Sequence, residues 1–134
     1  MTEPLVPLQR HPALSVREVP GKGRGLFIAA DVPAGALLEE APVIPMRPED
    51  AVPRQSILYN YPFGWEDPPY VEAVALGVIS MANHDDNPNA RFQTDLPAKL
   101  VRLFAKRDLT AGEEVTIDYV IELWFDAAPK TEEA

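Results

Sequence analysis

Two short segments carry the residue types that could do chemistry. The first is Asn83-His84-Asp85-Asp86-Asn87-Pro88-Asn89, dense in side chains that form hydrogen bonds. The second is Gly112-Glu113-Glu114-Val115-Thr116-Ile117-Asp118-Tyr119, a turn running into a strand that ends on a phenol. Asn and Asp readily satisfy nearby backbone groups, so 83–89 is expected to be a self-bonded turn system. Apolar neighbours on both sides, Val78-Ile79 and Ala90-Arg91-Phe92, predict that it is largely buried. Buried amides need partners, so these side chains either lock a backbone crossing or bind a ligand. A polar knot beside a strand-end tyrosine is one way to hold a bound molecule against a reacting amine. Tyr119 by itself also reads as an amphipathic packing residue, and the residues alone leave both readings open.

Three further groups need weighing. Gly21-Lys22-Gly23-Arg24-Gly25 is expected to be a loop, because glycine enters unusual backbone angles cheaply and lets a backbone approach a ligand. It fails as a dinucleotide fingerprint and as a phosphate loop, lacking the third glycine in register and a Lys-Ser/Thr step. His84 beside Asp85 and Asp86 suggests a metal, yet a divalent site needs three or more well-placed ligands. The other histidine, His11, lies in the proline-interrupted N-terminus, so no metal site is expected. Tyr61, Phe63 and Trp65 alternate, which puts three rings on one face of an extended segment. That face is either a minor core or the wall of a channel for a cation. Trp124 and Phe125 read first as packing residues.

The elements that must position these groups are short. Strands are expected from Leu14 through Val16 to Val19, over 26–29, 36–40 and 43–46, and over 115–119. Residues 31–35 form a turn whose Asp-x-x-Ala-Gly chemistry is repeated at 108–112. Residues 90–93 and 100–105 read as a hairpin across 95–99. Residues 47–67 carry Pro48, Pro53 and Pro62 and read as an inserted loop or a cover. Residues 70–78 are ambiguous between strand and helix, and 120–127 suit a short closing helix. The sum is a mainly β chain with few short helices. It divides into an irregular segment 1–11, a single domain 12–127 and a polar tail 128–134.

Composition bounds the rest. With 134 residues, 46% of them hydrophobic, the chain can bury a real core. Fifteen prolines and seven glycines favour turns over long helices. No apolar run is long enough to span a membrane, and no export signal is evident. The absence of cysteine excludes a disulfide framework, a thiolate zinc site and a cysteine nucleophile, and a cytoplasmic setting is expected. A net charge of −9 repels phosphate, so direct nucleic acid binding is not expected; a basic partner is favoured.

In order, these segments resemble the SET domain, the fold of many protein-lysine methyltransferases. Gly21-Lys22-Gly23-Arg24-Gly25-Leu26-Phe27 is similar to the family's opening glycine motif, and Asp31-Val32-Pro33-Ala34-Gly35 to the turn before its next strand. Residues 83–89 resemble its Asn-His-Ser-x-x-Pro-Asn signature, and 112–119 its Gly-Glu-Glu-Leu-Thr-Phe-Asp-Tyr signature. The approach Ala75-Leu76-Gly77-Val78-Ile79-Ser80, preceded by Tyr61-Pro62-Phe63-Gly64-Trp65, looks like a compact bacterial branch, and the resemblance covers residues 12–125. It implies a β-clip-like fold of several small sheets with a pseudoknot-like crossing. It also implies S-adenosylmethionine as cofactor and methyl transfer to a lysine in a basic segment of a protein substrate.

The family's roles would place the cofactor's amino-acid end on the backbone around Lys22, Gly23 and Arg24. Asn83 and His84 would contact the cofactor, Tyr119 would set its hydroxyl beside the methyl group, and Trp124 or Phe125 would cover the adenine. Rings from Tyr61, Phe63 or Trp65 would wall the lysine channel. Small viral members of the family suggest a homodimer. Two departures stand out: Asp85 where the family has serine, and Glu40-Ala41-Pro42 near the place of a second tyrosine. They open an alternative, a catalytically weak module that binds cofactor or a basic peptide without turnover.

Overall fold

The computed structural model describes residues 7–21 and 23–118. Lys22, Tyr119, Trp124 and Phe125, together with the expected closing helix and polar tail, lie outside the described residues. Among the described residues nine strands follow one another: β1 (Leu14–Val19), β2 (Gly23–Ile28), β3 (Leu37–Met46), β4 (Phe63–Asp67), β5 (Tyr70–Ala75), β6 (Asn83–His84), β7 (Ala90–Asp95), β8 (Leu100–Ala105) and β9 (Glu114–Ile117). Short 3-10 helices occupy Pro48–Asp50 and Val78–Met81. Among the described residues, no helix is long and apolar enough to cross a membrane.

Two sheets organise the described residues. One has the order β1-β2-β9-β6 and the other β4-β5-β3-β8-β7. Every pairing is antiparallel except β6 with β9, which is parallel. A fully buried core joins them: Leu26 and Ile28 from β2, Leu38 from β3, Leu103 from β8, and Val115 and Ile117 from β9. This is the mainly β architecture of small sheets that the residue pattern implies.

Three expectations change in detail. The glycine loop is shorter than 21–25, because Gly23, Arg24 and Gly25 already pair with Val19, Glu18 and Arg17 in the β1–β2 ladder. The two strands expected at 36–40 and 43–46 are one strand, β3. Pro42 reads as a break because it has no N–H to donate to a ladder. Here β3 pairs with β8 as far as Pro42 and with β5 from Val43 onward. The missing N–H therefore falls where the strand passes from one partner to the other. Finally, the ambiguous stretch 70–78 resolves into β5 followed by the start of the second 3-10 helix.

The repeated Asp-x-x-Ala-Gly turns are coupled to each other. Val32 and Leu109 exchange both backbone hydrogen bonds, at 3.0 and 2.9 Å. The Asp108 carboxylate accepts the N–H of Ala34, and the Asp31 carboxylate accepts that of Ala111, both at 2.8 Å. Each turn is thus capped by the aspartate of the other. Gly35 and Gly112 take φ of +85° and +97°, angles that only glycine adopts without strain. In the second turn, Glu113 accepts the Thr110 N–H at 2.6 Å and an Arg107 guanidinium hydrogen at 3.2 Å. Those two bonds, the backbone one first, hold its carboxyl below the ordinary value. A depressed carboxyl contributes stability that is present above its unfolded pKa and lost as pH falls through the folded one.

Asp31→Ala and Asp108→Ala should each cost about 1 kcal/mol in urea unfolding, the usual net value of one such bond, whereas the Asn variants, which keep an acceptor, should cost less. Equal losses for Ala and Asn would count against the capping role.

Candidate functional site

The site is built on β9, which lies between β2 and β6. β6 runs beside it in parallel, with Asn83 opposite Thr116 and His84 opposite Ile117, and the Asp85 N–H continues the ladder to the Ile117 carbonyl at 3.0 Å. The chain then leaves and returns at Asn89. The buried Asn89 carboxamide donates to the Glu114 carbonyl at 2.7 Å and accepts the Thr116 N–H at 2.9 Å. One side chain therefore does the work of a strand partner on β9.

Burial of 83–89 is narrower than expected. Asn89 is buried and Asn83 and His84 are half-buried, but Asp85, Asp86 and Asn87 face solvent. Asp85 accepts the Asn87 N–H at 2.8 Å, a local turn bond of the kind a serine hydroxyl also makes. Its charge sits in water, so the change from the family's serine creates no buried charge. The His84 ring lies between two carboxylates, with Nε2 2.8 Å from Asp86 Oδ1 and Nδ1 3.6 Å from Asp118 Oδ1. Among the described residues, no group of three or more His, Cys, Asp or Glu side chains could hold a metal ion.

Asn83 ties the glycine strand to β9. Its Nδ2 donates to the Arg24 carbonyl at 3.1 Å and to Glu114 Oε2 at 2.7 Å. Gly25 makes this approach feasible. A Cβ there would stand 2.6 Å from Glu114 Oε2, 2.9 Å from a Val19 methyl and 3.0 Å from Asn83 Nδ2. Real side chains do not come so close, so a Cβ at residue 25 would force these side-chain groups to shift.

A second carboxylate sets the approach to Asn83. Glu39 is only 3% exposed, and it accepts the N–H groups of Val78 at 3.1 Å and Ile79 at 2.8 Å. These are first-turn donors of the 3-10 helix Val78–Met81, which no helical carbonyl can satisfy. Gly77 leaves room for the contact, because a Cβ there would lie 2.7 Å from Glu39 Oε2. Arg10 Nη1 is 3.8 Å from the same oxygen. Residue types alone do not single out Glu39. A register shift between Leu37 and Glu39 lets Leu38 and Glu39 both turn inward, which strict alternation does not anticipate. The available signal was a lone pair of acids, Glu39-Glu40, inside an apolar strand.

Asn83 also lines a cleft of about 840 Å³, within the range of small-molecule sites. Gly23, Arg24 and Asn83, three of the expected cofactor residues, line it together with Glu18, Tyr61 and Met81. Of the three rings expected to wall a channel, Tyr61 alone is at this cleft. Phe63 and Trp65 are core residues, 6% and 1% exposed, with Phe63 packed edge-on against Phe92 at 4.7 Å. Alternation does put Phe63 and Trp65 on one face of β4, but that face turns into the sheet, and Tyr61 precedes the strand. His84 does not line this cleft, and Lys22, Tyr119 and Trp124 lie outside the described residues.

The geometry agrees with comparison to known proteins. The SET domain family model matches residues 23–120. The chain belongs to the SET domain family. It is 31% identical over 123 residues to the Schizosaccharomyces pombe histone-lysine N-methyltransferase specific for H3 lysine-37, covering 90% of this chain and 82% of that protein. It is also 29% identical over 110 residues to a Cryptococcus neoformans histone-lysine N-methyltransferase specific for H3 lysine-36, covering 75% of this chain and 13% of that much longer protein. In fold it resembles a Plasmodium falciparum crystal structure described as a candidate histone methyltransferase, with a TM-score of 0.66 and 22% identity. That likeness spans 83% of this chain and 94% of the other. In this SET domain, β1, β2 and the start of β6 line the cleft, and Asn83 ties that wall to Glu114 of β9.

Gly25→Ala should destabilise the fold by about 1–3 kcal/mol in urea unfolding, the usual cost of overpacking; an unchanged midpoint would show that Glu114 and Asn83 give way freely. Glu39→Ala, which strips two buried donors of their acceptor, should cost about 2 kcal/mol or more.

Proposed function

We propose that this chain transfers a methyl group from S-adenosylmethionine to the side-chain amine of a lysine in a protein substrate. Protein-lysine methylation is the activity that the family and its histone-lysine methyltransferase relatives support. The observation that carries the finer reading is the cleft itself, where Gly23, Arg24 and Asn83 form one lining.

The residues present suit this cofactor. Gly21 and Gly23, both at positive φ, keep side chains away from the cleft wall. Arg24 and Glu18 offer both signs of charge to a zwitterion, and Tyr61 and Met81 offer apolar surface. When bound, the cofactor supplies an electrophilic methyl on a cationic sulfur. The lysine nitrogen must approach in line with the breaking carbon–sulfur bond, so the chain acts mainly by positioning and by excluding water. The amine sheds one proton, from a reference pKa near about 10.4, before or during attack. Burial beside a cation favours that loss, and no histidine base is required. Tyr119 stands two positions after Ile117 in the sequence and matches the family's signature tyrosine; its role is to orient the amine beside the methyl group. A chain of net charge −9 attracts a basic substrate segment.

Calorimetric titration with S-adenosylmethionine should give saturable binding, and no heat at millimolar cofactor would sink the cofactor assignment. Lysine-containing basic peptides should then gain mass in 14-dalton steps, the increment of one methylene. Tyr119→Phe should lower that rate by about tenfold or more, as loss of a positioned hydroxyl does at other sites. Equal rates for the two proteins would remove Tyr119 from the mechanism.

A further inference from the structure

Residues 9–11 lie antiparallel to the first half of β3, along the edge that faces away from β8. The His11 N–H donates to the Leu38 carbonyl at 2.8 Å, the Glu40 N–H donates to the Gln9 carbonyl at 2.7 Å, and Arg10 bridges to Glu39. The Gln9 N–H also donates to Glu40 Oε1 at 3.0 Å. β5 pairs with β3 only from Val43 onward, so this strap fills the ladder positions ahead of it. Its middle residue meets the buried carboxylate of β3, with Arg10 Nη1 3.8 Å from Glu39 Oε2. Among the described residues, no other cation lies within ion-pair reach of Glu39. The 3-10 helix Val78–Met81 begins after Gly77 and has no side-chain cap of its own. Both oxygens of Glu39 take that place, Oε2 for the Val78 N–H and Oε1 for the Ile79 N–H. Ser80 and Met81 at the far end of the helix, and Ala82 and Asn83 after it, line the cleft.

We propose that Arg10 is a positioning residue for ligand binding: it holds Glu39 against the 3-10 helix, so the strap sets one wall of the cleft from outside it. Arg10 does not line the cleft itself. The role rests on the cofactor assignment above. A carboxylate with 3% exposure has lost its hydration, and it stays inside only while hydrogen bonds and a cation compensate. Two N–H groups supply the first and the guanidinium supplies the second. Without the cation the carboxylate is drawn back toward water, and two first-turn donors lose their acceptor. A 3-10 helix of four residues has little ladder of its own to resist that loss. Glu39 Oε2 also packs so near Gly77 that a Cβ there would stand 2.7 Å away, so its movement reaches the backbone that enters the helix.

The test is a double-mutant cycle on Arg10→Gln and Glu39→Gln, read by calorimetric titration with S-adenosylmethionine and by amide hydrogen exchange. Arg10→Gln should weaken binding about two- to fivefold, the range of one partly exposed ion pair. Arg10→Lys keeps the charge and should recover most of the affinity. Exchange at Val78 and Ile79 should quicken in Arg10→Gln while the β7–β8 amides keep their rates, which a general loss of stability would not produce. In the Glu39→Gln background, Arg10→Gln should have no further effect. Wild-type affinity in Arg10→Gln would overturn the proposal. An equal loss in the Glu39→Gln background would overturn it too, since Arg10 would then act without Glu39. Should Glu39→Gln fail to fold, Arg10→Gln and Arg10→Lys decide by affinity and exchange. Failure of the wild type to bind would instead remove the cofactor assignment, and the role of Arg10 with it.

Discussion

The buried carboxamide of Asn89 is the constraint on which this structure turns. β9 is only four residues long, and its neighbour β6 only two. Strands this short cannot hold each other by ladder bonds alone. Asn89 supplies a donor to the Glu114 carbonyl and an acceptor to the Thr116 N–H, so the backbone of β9 is satisfied on a side where no strand of useful length runs. A carboxamide suits the task because it carries a donor and an acceptor in one plane; an aspartate would offer acceptors only. Everything at the cleft inherits this placement, since Glu114 bonds Asn83, and Asn83 in turn fixes the Arg24 carbonyl.

A second chain of dependence runs through Glu39. It begins near the start of β3, crosses to the 3-10 helix Val78–Met81 and ends at Asn83, two residues beyond that helix. Gly25 and Gly77 serve the two chains in the same way. Each is a place where a carboxylate passes so near the backbone that a Cβ would force it aside, Glu114 in one case and Glu39 in the other. The two glycines thus record buried polar contacts, beyond whatever turns they permit.

Much of this was legible from residue types because the local physics was unambiguous. Positive φ at Gly35 and Gly112, and the turn chemistry around them, follow from glycine's lack of a side chain. The segments 83–89 and 112–119 were recognisable because their amides and acids had few other uses. What the chain order could not reveal was sidedness and partner exchange. Alternation correctly joins Phe63 to Trp65 but does not say which face of β4 meets the core. Pro42 looks like a strand end until the two partners of β3 are known, and Glu39 looks solvent-exposed until the register shift turns it inward. The mutual capping of Asp31 and Asp108 is likewise invisible, because each aspartate appears to belong to its own turn.

The triangle of Gly25, Asn83 and Glu114 draws on residues far apart in the chain, and this shapes how the protein acquires its site. Contacts with such wide sequence separation carry a large loop-closure cost and form late, when most of the chain is already in place. No fragment containing a single signature could reproduce the cleft. A molecule that occupies it should therefore favour the whole native chain over every partly folded form, so that its concentration sets the melting temperature. Recognition at the cleft and completion of folding are, in this small domain, one cooperative event.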